Sequence, residues 1–107
     1  MKSVFLGALL VTAGFAGAAA AAPRLTDTQY WQAAECAGLA AGLKVDSADI
    51  DRILRRQSLS RAAYVVDRAE EIRDQAKRKA QHANPYIAEQ ARTELASPGC
   101  VQFRPAY

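Results

Sequence analysis

Apolar and polar positions divide the chain into two unlike parts. Met1 and Lys2 are followed by an uncharged stretch, Ser3 to Ala22, whose bulky members (Val4, Phe5, Leu6, Leu9, Leu10, Val11) crowd its first half. Its second half decays into glycine and alanine. A positive end, a short apolar core and a small-residue exit predict a secretory signal over residues 1–21. Signal peptidase needs small side chains one and three residues before the cut, and Pro23 disfavours a cut after Ala22. Cleavage is therefore expected after Ala20 or Ala21. The alternative is an uncleaved N-terminal membrane anchor, since Val4–Ala22 is nineteen residues and a span needs about 17–25. Alanine is only weakly lipophilic, which favours cleavage. Lipidation at Cys36 is disfavoured, because that residue lies well past the apolar core and follows Glu35.

Residues 22–107 read as one small helical domain. Thr26 or Asp27 is placed to cap a helix over about 28–42, which carries one charge, Glu35, and is apolar or small on every side. Such a helix belongs among others. Ala34, Gly38 and Ala41 share a face that another helix can approach closely, and Gly42 is the expected C-cap. Asp46 can cap a second helix, about 47–57, with Ile50, Ile53 and Leu54 as its stripe and Asp51–Arg55 as an i, i+4 pair. A third helix is expected over 60–83, without Gly or Pro across its length. Its apolar side is Leu59, Ala62, Val66, Ala69, Ala76, Ala80 and Ala83, flanked by Val65 and Ile72. Asp67, Glu70, Glu71 and Asp74 precede Lys77, Arg78 and Lys79, an order that complements the helix dipole and allows Asp74–Arg78 pairing. Asn84-Pro85 ends it and starts a fourth helix, about 85–96. Ser97-Pro98-Gly99 then forms a turn into an extended C-terminal tail. The absence of period-two runs excludes a sheet protein. The expected fold is all-α: a small four-helix bundle or irregular helical array closed by one disulfide.

Composition sharpens this picture in two respects. Of fourteen basic residues Lys2 lies in the leader, leaving thirteen against eleven acidic ones, with the two signs interleaved. So weak an excess gives no case for nucleic acid. The apolar set is thin and rich in alanine, so a domain of this size calls for a covalent staple. Cys36 and Cys100 are the only cysteines, and export would place them in an oxidising compartment. An intramolecular bridge is the expected state; free thiols, an intermolecular bridge and a redox pair are the alternatives. Redox pairs usually have close spacing such as C-x-x-C, which is absent here.

Candidate chemistry is sparse. His82, the single histidine, suits a helix C-terminus, and no nucleophile or orienting carboxylate is specified for it. Zinc wants three or four ligands, which one histidine and two bridged cysteines do not supply. Glu70 and Glu71 are adjacent, point about 100° apart on a helix and read as a solvated face. No catalytic residue, metal or cofactor is expected. Arg73 falls on the Ala/Val stripe of the third helix, which predicts a snorkelling or paired arginine, with Glu35 as one partner, or a face that receives a binding partner. Trp31 is the expected core anchor, and Phe103 and Tyr107 of the tail are expected either to pack over the first helix or to stay free for binding.

Leu25-Thr26-Asp27-Thr28-Gln29 resembles the LTxxQ pattern at helix starts in periplasmic helical stress chaperones of the Spy/CpxP type. The resemblance covers five residues, and the second copy of the pattern is missing. It implies a helix start and, in function, envelope stress protection. In outline the chain is also similar, at fold level, to the HdeA-type acid-stress chaperones. The expected function is a non-enzymatic periplasmic or secreted binding protein, with stress protection as one form. The alternative is a small inhibitor or accessory subunit of an exported enzyme or envelope complex. The expected partner is an unknown envelope protein or a second copy, with no nucleic acid and no membrane span after signal cleavage.

Overall fold

The computed structural model describes residues 24–104, so the leader, its cleavage register and Tyr107 lie outside the described residues. Within them the chain forms five helices and no strand: α1 (Asp27–Leu43), α2 (Ala48–Ser58), α3 (Ala63–Ala80), α4 (Pro85–Leu95) and the short α5 (Pro98–Val101). The protein is all-α, with Cys36 of α1 bonded to Cys100 of α5.

α1 starts where its sequence dictates. The Gln29 amide donates to Thr26 Oγ1 at 3.1 Å and the Thr26 amide donates to Gln29 Oε1 at 2.9 Å, a reciprocal capping box. That exchange accounts physically for the LTxxQ pattern in this chain. The helix is apolar all round because it is central. It packs on each of the other four helices, and Tyr30, Ala33, Ala34, Cys36, Ala37, Gly38, Leu39 and Ala40 are buried. Its main neighbour is α3, which runs parallel to it: Trp31 bonds Val65, Gly38 faces Arg73 and Ala76, and Gly42 faces Lys77 and Ala80.

That contact corrects the expected C-cap. Gly42 does not end α1, because the absence of its side chain is needed against α3: a Cβ there would lie 2.6 Å from both the Lys77 carbonyl oxygen and the Ala80 Cβ. Lys44 takes the left-handed turn instead, at φ 61° and ψ 37°. The Val45 amide donates back to the Ala40 carbonyl at 2.8 Å and the Lys44 amide to that of Ala41 at 3.2 Å, which closes the helix end. Gly38 is tighter still, since a Cβ there would collide with the Arg73 carbonyl oxygen and lie 2.9 Å from the Ala76 Cβ.

α3 is shorter than its pattern suggests. It begins at Ala63 because residues 59–62 turn so that Arg61 points inward, leaving Leu59 and Ala62 exposed, and it ends at Ala80, leaving Ala83 exposed beyond its C-terminus. The buried positions are Val65, Ala69, Ala76 and Ala80. α2 runs 48–58, with Asp46 Oδ1 accepting from the Ala48 amide at 3.0 Å. α4 starts as Asn84-Pro85 predicts, the Asn84 side chain accepting from the Tyr86 amide at 2.9 Å. The described part of the tail, to Arg104, is helical and turned rather than extended. Pro98 sits in the first turn of α5, and its missing amide costs nothing there. Phe103 is buried in the core beyond it.

The buried aromatic of α1 is Tyr30, at 3% exposure, rather than Trp31. Trp31 is half-buried and packs against the core, its indole N–H donating to the Val65 carbonyl of α3, 3.0 Å away.

Glycine-to-alanine changes in an exposed helix interior usually stabilise by about 1 kcal/mol. At Gly38 the sign should reverse: Gly38→Ala is expected to lower stability by about 2 kcal/mol in urea unfolding, because the α1 and α3 backbones must separate.

Candidate functional site

Two arginine-centred contacts organise the surface formed by α1, α2 and α3. The first is built on Arg61, whose side chain is only 1% exposed. Its Nη1 donates to Asp27 Oδ1 at 2.6 Å, while Nη2 donates to the Leu25 carbonyl at 2.5 Å and to Gln57 Oε1 at 2.8 Å. Gln57 Oε1 also accepts from the Leu25 amide at 3.1 Å, so Gln57 and Arg61 together satisfy both backbone groups of Leu25. The guanidinium carbon lies 4.6 Å from the centroid of the Tyr30 ring, a cation–π contact. The Arg61 Nε–H is buried without a partner among the described residues. Arg24 adds a bond to the Ser60 carbonyl at 3.0 Å. The lead-in before α1 is thereby fastened to the α2–α3 turn.

The second contact is Arg73–Asp51, 2.7 Å between Nη2 and Oδ1. Asp51 is further held by the Ser47 hydroxyl at 3.0 Å and so does not form the expected i, i+4 pair with Arg55. Arg73 is paired at the rim, within the snorkelling or paired reading; Glu35, one possible partner, is exposed and takes no part, because Arg73 turns toward α2. With its side chain 42% exposed, Arg73 is a rim residue rather than a buried charge. The expected Asp74–Arg78 pair is likewise missing from the ion pairs among the described residues; Lys79 instead reaches Glu94 of α4 at 2.6 Å. His82 is exposed, and its Nδ1 accepts from the Asn84 amide at 3.0 Å. It lies outside the groove described next.

α2 and α3 each pack on α1 and not closely on one another. A groove of about 320 Å³ lies between them. Its floor is Tyr30 and Ala34 of α1, and its walls are Leu54 and Ser58 from α2 and Val66 and Ala69 from α3. Arg73–Asp51 bridges it at one end, and the turn that holds the Arg61–Gln57 contact joins the two helices beyond the other. Arg55 and Glu70 stand on opposite rims, both exposed, and neither forms an ion pair among the described residues. Tyr30, Ala34, Leu54 and Ala69 belong to the buried core, Val66 and Ser58 are partly exposed, and the rims carry charge of both signs.

Burial raises the pKa of the Tyr30 phenol above its ordinary 10.0; Arg61 opposes the shift and Glu70 adds to it. Among the described residues no group of three or more His, Cys, Asp or Glu is placed to hold a metal ion, and no helix is long and apolar enough to cross a membrane. The fold and groove define a small, disulfide-bridged all-α protein. No protein-family model, curated protein or solved structure matches the chain.

The groove and the Arg61 cluster were not visible in the helical pattern. Arg61 sits in Ser60-Arg61-Ala62-Ala63, where periodicity alone starts a helix, and its partners at 25, 27 and 57 are joined to it only by folding.

Two outcomes follow from these contacts. Arg61→Ala is expected to lower stability by about 2–3 kcal/mol in chemical unfolding, because several hydrogen bonds and a buried stem are lost. Arg73→Ala, which removes a half-exposed pair, should cost less than about 1 kcal/mol. Tyr30 makes stability fall in alkali: above pH 10.0 the unfolded chain has released a phenolic proton that the folded protein still holds. The contribution is fully present at neutral pH and is lost as pH rises through the folded-state value. Tyr30→Phe should flatten that alkaline decline in a series of unfolding curves.

Proposed function

We propose that this chain is a non-enzymatic, exported binding protein that receives a segment of a partner in the groove between α2 and α3. The observation that carries the reading is the separation of α2 from α3 over α1, which leaves a shallow groove with the partly exposed Val66 and Ser58 above a buried base of Leu54 and Ala69. Recognition sites are commonly concave, with apolar walls and a few placed polar groups. Export is supported by the Lys2-to-Ala22 pattern. The Cys36–Cys100 bridge fits an oxidising envelope or extracellular compartment.

The groove's dimensions favour one form of this role. It is small, the Arg73–Asp51 pair spans one end, and the α2–α3 turn closes the chain beyond the other. Promiscuous stress-protective binders need surfaces that repack around many clients. A small groove with charged rims fits a dedicated partner, as an inhibitor or accessory subunit would have.

Site-directed photo-crosslinking tests the proposal. In the oxidised protein lacking residues 1–21, a photoreactive side chain at Ser58 or Val66 should give a discrete adduct with an envelope protein. The same group at Glu35, exposed and outside the groove, should give none. Equal labelling from all three positions, or none from any, would contradict a groove-based role.

A further inference from the structure

We propose that the α2–α3 turn is a membrane-contacting tip, which rests in the headgroup layer of an anionic bilayer while residues 3–22 are embedded in it. This goes beyond the binding role above and does not depend on the groove.

The first observation is what the turn exposes. Leu59 is 87% exposed, the most open large apolar side chain among the described residues, and Tyr64, in the first turn of α3, is 70% exposed. A single exposed leucine needs no explanation. This one stands in a short segment with a tyrosine and several cations, a mixture that the membrane–water interface favours: the leucine suits the acyl boundary, the phenol and guanidinium groups suit the headgroups. Segments 24–27 and 55–64 together carry four arginines, Arg24, Arg55, Arg56 and Arg61, and one acid, Asp27. Asp27 is paired with Arg61, so the exposed Arg24, Arg55 and Arg56 give this end its sign. The nearest acid of α3 is Asp67, which lies toward the middle of that helix from Tyr64. The negative end of α2 and the positive end of α3 meet at the turn and offset one another.

The second observation is where the leader joins the fold, and it selects a bilayer as the occupant. Arg24 donates to the Ser60 carbonyl at 3.0 Å, and both backbone groups of Leu25 are held by Gln57 and Arg61. The first described residues are thereby fastened to the turn that carries Leu59. Two residue steps separate Arg24 from Ala22, the end of the uncharged stretch, so the two lie within about 7 Å of each other. A stretch of this kind enters the bilayer as a signal or as an anchor, whether it is later cut or retained. While it is there, the turn bonded to Arg24 is held at the bilayer surface. The opposite end of α1 is about 24 Å away along the helix axis. Lipid phosphates then meet Arg24, Arg55 and Arg56, and anionic headgroups are favoured over neutral ones.

The test uses the full, oxidised chain reconstituted into vesicles of phosphatidylethanolamine and phosphatidylglycerol. An environment-sensitive fluorescent amino acid replaces Leu59, Tyr64, Glu35 and Gln90 one at a time, all of them exposed. Emission from positions 59 and 64 should be blue-shifted and quenched by lipid spin-labelled near the headgroup, whereas positions 35 and 90 should report water. Exchanging phosphatidylglycerol for phosphatidylcholine, raising the salt, or substituting Arg55→Gln with Arg56→Gln should each reduce the shift at 59 and 64. A shift that none of these changes reduces would overturn the preference for anionic lipid. A leader acting only as a tether would leave the probes at 59 and 64 as wet as those at 35 and 90, and that would overturn the contact itself. Equal quenching at all four positions would overturn it too. So would a shift at 59 that fades as the protein is diluted in the vesicles, since a second copy would then cover the turn. Should a probe disturb the turn, photoreactive phosphatidylglycerol gives a second reading on the unsubstituted chain. Its adducts within the folded domain should map to residues 55–64, and adducts spread over the domain would contradict the contact.

Discussion

The close approach of α1 to α3 is the contact on which the rest of this protein depends. Two parallel helices meet backbone to side chain because Gly38 and Gly42 present no Cβ where Arg73, Ala76, Lys77 and Ala80 pass. With so few large aliphatic residues, the core gains its stability from density: alanine against glycine and alanine, with Leu39, Ile50, Val65 and Cys36 as the largest fully buried side chains. Such a seam has little slack. A small helical domain has limited apolar area to bury, and the Cys36–Cys100 bridge compensates by tying the centre of α1 to the end of the fold. In the chain-entropy model, closing a loop of this size contributes about 4 kcal/mol.

The groove is a consequence of that same seam. α1 is apolar on every side and offers separate faces to α2 and α3, so the two pack on it without needing each other. Side chains then fix their spacing. Asp51 holds Arg73, and Gln57 holds Arg61 while both bind the lead-in at Leu25. The result is a cleft spanned at one end by an ion pair above a base of core residues.

Much of the fold was legible in the sequence. The four longer helices lie within three residues of their expected limits because capping and proline signals are local: Thr26 with Gln29, Asp46, and Asn84-Pro85 act within one turn. The apolar wheel of residues 28–42 correctly marked α1 as the buried centre, and the lone cysteine pair marked the bridge. The misreadings share a cause. Gly42 read as a C-cap, Glu35 as one possible partner of a paired or snorkelling Arg73, and Leu59 with Ala62 as part of an apolar stripe. In each case a contact between distant segments decided the outcome. Gly42 is held at the α3 seam, Arg73 is drawn to Asp51, and Arg61 turns the chain inward just where the third helix was expected to start. The groove belongs to the same class, since no single helix encodes a space between two others.

The seam itself can be observed directly. In a nuclear magnetic resonance spectrum of the oxidised protein lacking residues 1–21, the Gly38 Hα protons should show strong nuclear Overhauser contacts to the Ala76 methyl, and those of Gly42 to the Ala80 methyl. Absence of both sets, with Gly38 and Gly42 contacting only their own helix, would contradict the close α1–α3 packing from which the core and the groove both follow.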